Sequence, residues 1–252
     1  MEEDHAGSEQ AWVVELTELV LDNDSFKMIH YGTDEVRGFD LDHLALGNIS
    51  SRIKDIHYGP DSTMAFVERL SLKDDKGFAV RDMSTDFSLS RHTATMNDLR
   101  IQTNHSYIQR HVHIHYHDLA LLGENIGELG VKAIIENSYV GAQDILYFAP
   151  QLARQEPFAG NRNMRINIAG VVVGEVSDLR INNVRATALQ SMAVSLDGTV
   201  KGLPDIDKTH FNINLQRLTF AESDLYTLLP DTVLPSNIDL PSRTIARGSF
   251  RG

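Results

Sequence analysis

The period-two alternation of residues 111–117 constrains the fold most strongly. Histidine occupies every odd position, whereas Val112, Ile114 and Tyr116 occupy the even positions. Successive side chains of a β-strand point to opposite faces, so this segment predicts a strand with one dry and one wet face. Residues 86–90, 165–168, 193–197 and 211–216 alternate in the same way. Such sheets are typically antiparallel, and the sequence therefore predicts an all-β, mainly antiparallel meander.

Turn signals and a few short helical segments divide the alternating runs. Residues 58–61, 74–77 and 202–205 combine glycine or proline with aspartate and predict turns. Residues 143–152 and 223–229 predict short helices that end near a proline. Asp144 and Asp224 are expected to accept free backbone N–H groups at the starts of these helices. Residues 12–21 fit either a helix or a strand, and the pattern leaves the choice open.

Two motifs recur at the same spacing and indicate a repeat. Residues 97–101 match residues 177–181, and residues 144–150 match residues 224–230, in each case 80 positions apart. The predicted unit is several strands followed by a short helix, with approximate units 91–170 and 171–250. Residues 1–37 are expected to form an N-terminal segment, a strand or helix at one edge, and residues 38–252 the repeated β-region. Glycine pairs four apart, such as Gly170 and Gly174, predict curvature or a bulge.

Composition narrows the classes of function. The chain has 35 acidic against 23 basic residues and a net charge of −12, which argues against nucleic acid as a partner. It has no cysteine, which excludes disulfides and thiolate zinc sites. Residues 120–140 are interrupted by charges and are not expected to span a membrane. The first ten residues lack the features of a secretory signal, so a membrane anchor, if the parent protein is exported, is expected elsewhere in that protein.

The sequence offers few candidates for metal-binding or catalytic residues. His111, His113, His115 and His117 share one strand face and are a weak candidate for a zinc or copper site, against the simpler interpretation of a solvated outer face. Carboxylate pairs such as Asp40 and Asp42, or those at residues 22 and 24 and residues 74 and 75, have local hydrogen-bonding roles in turns. No nucleophile elbow, phosphate loop or metalloprotease motif is present. The sequence therefore predicts no catalytic residues, no enzyme activity and no cofactor.

Several short segments resemble a known family. Residues 38–44, 70–73, 98–103, 144–150 and 198–205 resemble TamB-like proteins of the Bacteroidetes type, within the TamB/AsmA group of translocation and assembly modules. The likeness covers roughly residues 38–252. It implies a bridge-like, repeating β-sheet curled into a taco-like groove or a flattened barrel, of which this chain is an internal fragment. It also implies a parent protein anchored at the inner membrane, located in the periplasm and linked to lipid transport and outer membrane biogenesis.

The resemblance, together with the dry faces of the predicted strands, implies a function. These faces are expected to form a groove for phospholipid or acyl chains, with outer-membrane assembly proteins as further candidate partners. A β-scaffold that acts through protein contacts in outer-membrane protein assembly and a carbohydrate-binding β-protein remain alternatives. The expected groove-lining residues are Val112, Ile114, Tyr116, Ile166, Ile168, Val194, Leu196, Phe211, Ile213 and Leu215.

Overall fold

The fold is one open sheet of twelve strands. The structure, a computed structural model, describes residues 12–119, 125–189, 191–228 and 241–252. In these ranges each strand pairs antiparallel with the next one along the chain, from β1 at one edge to β12 at the other, and the sheet does not close into a barrel. The all-β meander is confirmed. The strands are β1 (Val14–Ile29), β2 (His43–Tyr58), β3 (Ser62–Asp74), β4 (Ala79–Ser90), β5 (Thr93–Thr103), β6 (Tyr107–His115), β7 (Gly130–Gly141), β8 (Arg165–Glu175), β9 (Asp178–Ala188), β10 (Met192–Lys201), β11 (His210–Phe220) and β12 (Thr244–Arg251).

Residues 12–21, which the sequence left open, contribute to a strand. Val14–Ile29 forms β1, an edge strand of 16 residues, and residues 1–11 lie outside the described ranges. The two predicted helices are α1 (Ala142–Phe148) and α2 (Glu222–Leu228). The longer extent predicted for the first is wrong, because α1 stops before Pro150 and a separate 3₁₀ turn, Pro150–Arg154, follows. Proline lacks the N–H that a continuing helix would need. No helix in the described ranges is long and apolar enough to cross a membrane.

Bulges interrupt the alternation inside several strands. Asp55, Asp98, Asn137 and Asn183 each have φ between 45° and 51° and each lies at a register shift between neighbouring strands. Asparagine and aspartate tolerate this left-handed conformation better than other residues with a side chain. The extra residue inverts the alternation, so that apolar side chains change from even to odd positions, or the reverse, but stay on the same face of the sheet.

Glycine residues in the strands permit close contact between neighbouring strands. A Cβ on Gly170, which has φ +156°, would lie 2.7 Å from Cγ2 and 2.9 Å from Cα of Val184 in β9. A Cβ on Gly198 would lie 2.5 Å from the carbonyl oxygen of Asn212 in β11. Neither neighbour could move away easily, since backbone atoms are involved. The strand glycines thus mark close approach between neighbouring strands, and Gly170 in addition marks a distorted backbone.

The repeat is visible as four strands followed by a helix. β4–β7 lead into α1, and β8–β11 lead into α2. The offset of 80 relates the 3₁₀ turns Ile126–Glu128 and Ile206–Lys208, the starts of β7 and β11, and both bounds of the two helices. Elsewhere the offset fails, because Asp98 is a bulge within β5 whereas Asp178 begins β9. The boundary expected between residues 170 and 171 falls inside β8, so the structural units begin at β4 and β8 instead.

Little of the chain is fully buried. In the described ranges only four hydrophobic residues are buried, namely Leu99, Tyr116, Ala142 and Met164. The accessible surface is 16,623 Å², whereas a compact protein of this mass exposes about 11,000 Å². The excess is what a single open sheet produces, because no second layer formed by the described residues covers either face along its length.

Candidate functional site: the apolar face of the sheet

One face of the sheet carries two unbroken lines of mostly apolar residues. Residues paired across neighbouring strands point to the same face, so the strand register identifies these lines directly. We call them the first and second apolar rows, and together they form the apolar face. The first row is Val14, Tyr58, Thr63, Leu89, Ala94, Ile114, Val131, Gly174, Leu179, Val200 and Phe211. The second row is Ala65, Phe87, Met96, Val112, Ala133, Val172, Ile181, Gly198, Ile213 and Phe250.

The first row reaches both edges of the sheet. It begins at Val14 on β1, and beyond Phe211 it continues to Gly252, because these two residues exchange backbone hydrogen bonds of 2.9 and 3.1 Å. No member of either row is fully buried: most are half-buried, and those on the edge strands are exposed. Phe250, for example, is 60% exposed. The rows therefore form a continuous apolar surface that neighbouring side chains cover only in part.

The opposite face is polar at the same level of the sheet. Along each strand, one residue lies between the members of the two apolar rows, and its side chain points to the opposite face. We call the line formed by these residues the polar row. Its members are Met64, Ser88, Thr95, His113, Lys132, Val173, Arg180, Thr199, Asn212 and Arg251. The sheet is thus amphipathic across ten strands.

All ten residues expected to line a groove lie on the apolar face. Val112, Ile213, Ile114 and Phe211 belong to the two rows, and the others extend the same face along their strands. Nine of the ten are half-buried. Tyr116 is the exception at 2% exposure, and its hydroxyl donates to the carbonyl oxygen of Ser90 at 2.7 Å. Tyr116 closes one end of the face, so its role is structural rather than that of an open lining residue.

The histidines of β6 lie on the polar face. His111, His113 and His115 alternate with the apolar residues, and Nδ1 of His113 is 2.9 Å from Oγ1 of Thr95. The rings of His115 and His117 are 6.1 Å apart between centroids. In the described part of the chain, no three histidine, aspartate or glutamate side chains are grouped so that they could hold a metal ion. Along this strand His115 is exposed, whereas His111 and His113 are half-buried.

Helix α1 is attached to the turn between β5 and β6 through its aspartate. The carboxylate of Asp144 accepts hydrogen bonds from the hydroxyls of Thr103 and Ser106, the latter at 2.5 Å, in the turn between β5 and β6. The expected capping role of Asp144 is wrong, since α1 has no side-chain cap. For Asp224 it is confirmed, because its carboxylate accepts the Ala221 N–H at 3.1 Å. Both aspartates are buried, and both attach a helix to the sheet.

Four aromatic rings, two of them from the end of α1, pack together. We call Phe39, Phe78, Tyr147 and Phe148 the aromatic cluster; Phe78 and Tyr147 are stacked with centroids 4.7 Å apart, and Phe39 and Phe148 are 5.4 Å apart. The Tyr147 hydroxyl donates to the buried carboxylate of Asp74. Burial and then this hydrogen bond raise the pKa of Tyr147 well above its ordinary value. The cluster therefore fastens α1 to the β3–β4 turn and to the connection before β2.

A buried carboxylate holds that connection in place. Asp40, 7% exposed, accepts the N–H groups of Val36 at 2.9 Å and Asp42 at 3.1 Å, and Nζ of Lys76 lies 3.2 Å from it. The Val36 hydrogen bond lowers the pKa of Asp40 far below its ordinary value; burial opposes this, and Lys76 adds to it. The pKa of Asp75 is raised, first by a hydrogen bond with Asp74 and then by burial. The carboxylates of Asp40 and Asp42 and of Asp74 and Asp75 thus have partners within the fold.

An open cavity of about 850 Å³ lies beside α1. Its charged lining residues include Arg37, Lys76, Asp144 and Arg162, with Phe78 as an apolar contact. This charged lining distinguishes the cavity from the two apolar rows.

Sequence reasoning anticipated the distortion at Gly170 but missed the bulges at asparagine and aspartate and the anchoring hydroxyls. A lone asparagine or aspartate where an alternating run changes phase, such as Asp98 between Met96 and Leu99, is the signal that could have revealed the bulges. Thr103 and Ser106 carry no comparable signal. Comparison of the chain with protein-family models, with curated proteins and with solved structures finds no match.

Proposed function

We propose that this chain is a non-catalytic module whose apolar face binds the acyl chains of phospholipids. In line with the resemblance to TamB/AsmA-like proteins, we propose that it belongs to a periplasmic, inner-membrane-anchored protein that transfers lipid between the inner and outer membranes. Outer-membrane assembly proteins are further proposed partners.

The observation that carries the proposal is the pair of apolar rows. Their side chains are mainly aliphatic, half-buried and continuous over ten strands, and no second layer of the described structure packs on them along their length. A fully buried methylene group of an acyl chain contributes about 0.8 kcal/mol, and one that lies on such an open surface contributes part of that. A line of this kind accepts chains of various lengths without specific hydrogen bonds. This suits a lipid carrier better than an enzyme, which needs a defined pocket.

The test compares the two faces of one strand. Wild-type protein is purified without detergent, and co-extracted lipids are measured by mass spectrometry. The variant Val112→Asp/Ile114→Asp places two carboxylates on the apolar face of β6, and the control His111→Asp/His113→Asp places two on the polar face. We expect the apolar-face variant to lose most of its bound lipid and the control to retain it. Absence of lipid from folded wild-type protein, or equal loss in both variants, would reject the proposal.

A protein scaffold for outer-membrane protein assembly is the second candidate. The exposed edge strands favour it, since an unpaired edge can accept a strand from a partner. Bulky substitution separates the two functions: Ile114→Trp or Ile213→Trp should reduce lipid recovery without unfolding if the face is open. Loss of folding instead would indicate a packed face and favour the scaffold. The carbohydrate alternative has less support, because exposed aromatic residues are distributed over β1, β2, β3, loops, α1, α2 and β12.

A further inference from the structure

The two edges of the sheet differ in charge. β1 contains Glu15, Glu18, Asp22 and Asp24 with a single lysine, whereas β12 contains Arg247 and Arg251 and no acidic residue. All six of these charged residues are exposed. In β1, 14 of the 16 residues are exposed, and no described strand pairs with its outer side or with that of β12. The molecule thus has one acidic and one basic edge, each with unpaired backbone groups.

Because the number of strands is even, the two edges have the strand directions needed to pair with each other in an antiparallel way. The sheet has twelve strictly alternating strands, so β12 runs opposite to β1. A second copy shifted along the sheet would therefore place its β1 antiparallel to β12, with both apolar faces on the same side. Pairing of two β1 edges would oppose acidic residues, and pairing of two β12 edges would oppose arginines. Like charges opposite each other are destabilising, so charge favours the pairing of unlike edges.

The first apolar row fixes the register of that pairing. The row starts at Val14 and ends level with Gly252, which is hydrogen-bonded to Phe211. Continued into the next copy, it places Gly252 opposite Val14, Phe250 opposite Leu16 and Arg251 opposite Glu15. Phe250 and Leu16 are 60% and 44% exposed and would cover each other. Arg251 lies in the polar row and would meet the Glu15 carboxylate, whose side chain is 79% exposed.

We propose that β12 of one molecule pairs with β1 of a second copy, which extends one sheet and one apolar face from molecule to molecule. The contact is head-to-tail and does not close, so association continues with concentration. Salt weakens it, because part of the attraction comes from exposed charges. The proposal does not depend on lipid binding by the face.

The test is a charge exchange followed by sedimentation velocity over a concentration series. Variant one carries Arg247→Glu and Arg251→Glu, so both its edges are acidic. Variant two carries Glu15→Lys and Glu18→Lys, which makes its β1 edge more basic. We expect wild type to show a sedimentation coefficient that rises with concentration, each variant alone to remain monomeric, and their equimolar mixture to associate again. A monomeric wild type at every concentration, association of variant one alone, or a monomeric mixture would overturn the proposal.

A backbone variant tests strand pairing separately from charge. Gly252 and Phe211 form a hydrogen-bonded pair, so Arg251 and Ser249 belong to the alternate pairs, whose N–H groups point to the free edge. Ser249→Pro removes one outward donor and leaves the ladder to β11 intact. We expect Ser249→Pro to be monomeric and Ser249→Ala to associate like wild type. Unchanged association of a folded Ser249→Pro protein would show that the contact is not made through this edge.

Discussion

The two structural units attach their helices to the sheet in the same way but differ in the aromatic packing around the helix. In both, an aspartate at the third helical position binds a hydroxyl of the turn between the second and third strands: Asp144 binds Ser106, and Asp224 binds Ser191, each at 2.5 Å. Among the described residues, an aromatic cluster of this kind is found at α1 and not at α2. Tyr147 stacks on Phe78, whereas the corresponding residue of α2, Thr227, is exposed and donates within its own helix. The hydrogen bond from a serine of the turn to the helix aspartate, which we call the shared anchor, is part of the repeat. The aromatic cluster is found at the helix of the first unit alone of the two described units.

We expect the largest loss in the free energy of unfolding from removing Tyr147, the cluster residue that has no counterpart in α2. Tyr147→Ala deletes a stacked ring and leaves the buried Asp74 carboxylate without its hydroxyl donor. Truncation of a packed aromatic side chain typically costs about 3 kcal/mol or more, so we expect a loss of about 3 kcal/mol in the free energy of unfolding. Thr227→Ala, the matched control, should change it by less than about 0.5 kcal/mol. Urea unfolding monitored by circular dichroism measures both. Equal effects would mean that the units do not differ in this way.

The anchor shared by both units should give a smaller and similar effect in each. Asp144→Asn and Asp224→Asn keep the shape of the side chain but replace the charged acceptor of the hydroxyl hydrogen bonds by a neutral amide oxygen. Hydrogen bonds to charged groups contribute about 2 kcal/mol and neutral ones about 1 kcal/mol, so we expect each variant to lose about 1 kcal/mol. Asp22→Asn on the exposed edge strand is the control and should be neutral. A neutral Asp144→Asn or Asp224→Asn would show that the helix is not attached through this carboxylate.

The sequence predicted the strands and helices of the two structural units better than the differences between the units. The alternation around His113 predicted β6, and the match of residues 144–150 with 224–230 predicted both helices. These features are local, since strand and helix periodicity follow from consecutive residues. The contact of Asp144 with Thr103 spans 41 positions and depends on how the meander brings a turn beneath the helix. Bulges added a further difficulty, because one extra residue inverts the alternation without changing composition.

Acid should weaken the connection next to the cluster through Asp40. The folded state lowers the pKa of this carboxyl, so its ionised form stabilises the fold at pH above its unfolded pKa of about 3.9. That contribution is lost as the pH falls from about 4 towards the folded pKa. We expect Asp40→Asn to be less stable than wild type at neutral pH, and the difference to shrink below about pH 4. Chemical unfolding at a series of pH values tests this; a difference that grows on acidification contradicts it.

The smallest effect is expected at an ion pair found only in the second unit. Asp205 and Lys208 are 2.7 Å apart, whereas the first unit has Asn125 and Glu128 at the equivalent positions. The Lys208 hydrogen bond lowers the pKa of Asp205, so Lys208→Gln should return that pKa towards its ordinary value in an NMR titration. Unfolding at neutral pH should not change measurably, because exposed pairs are screened by water and salt. A clear loss of stability would show that the ion pair, and not only the shared anchor, holds the second unit together.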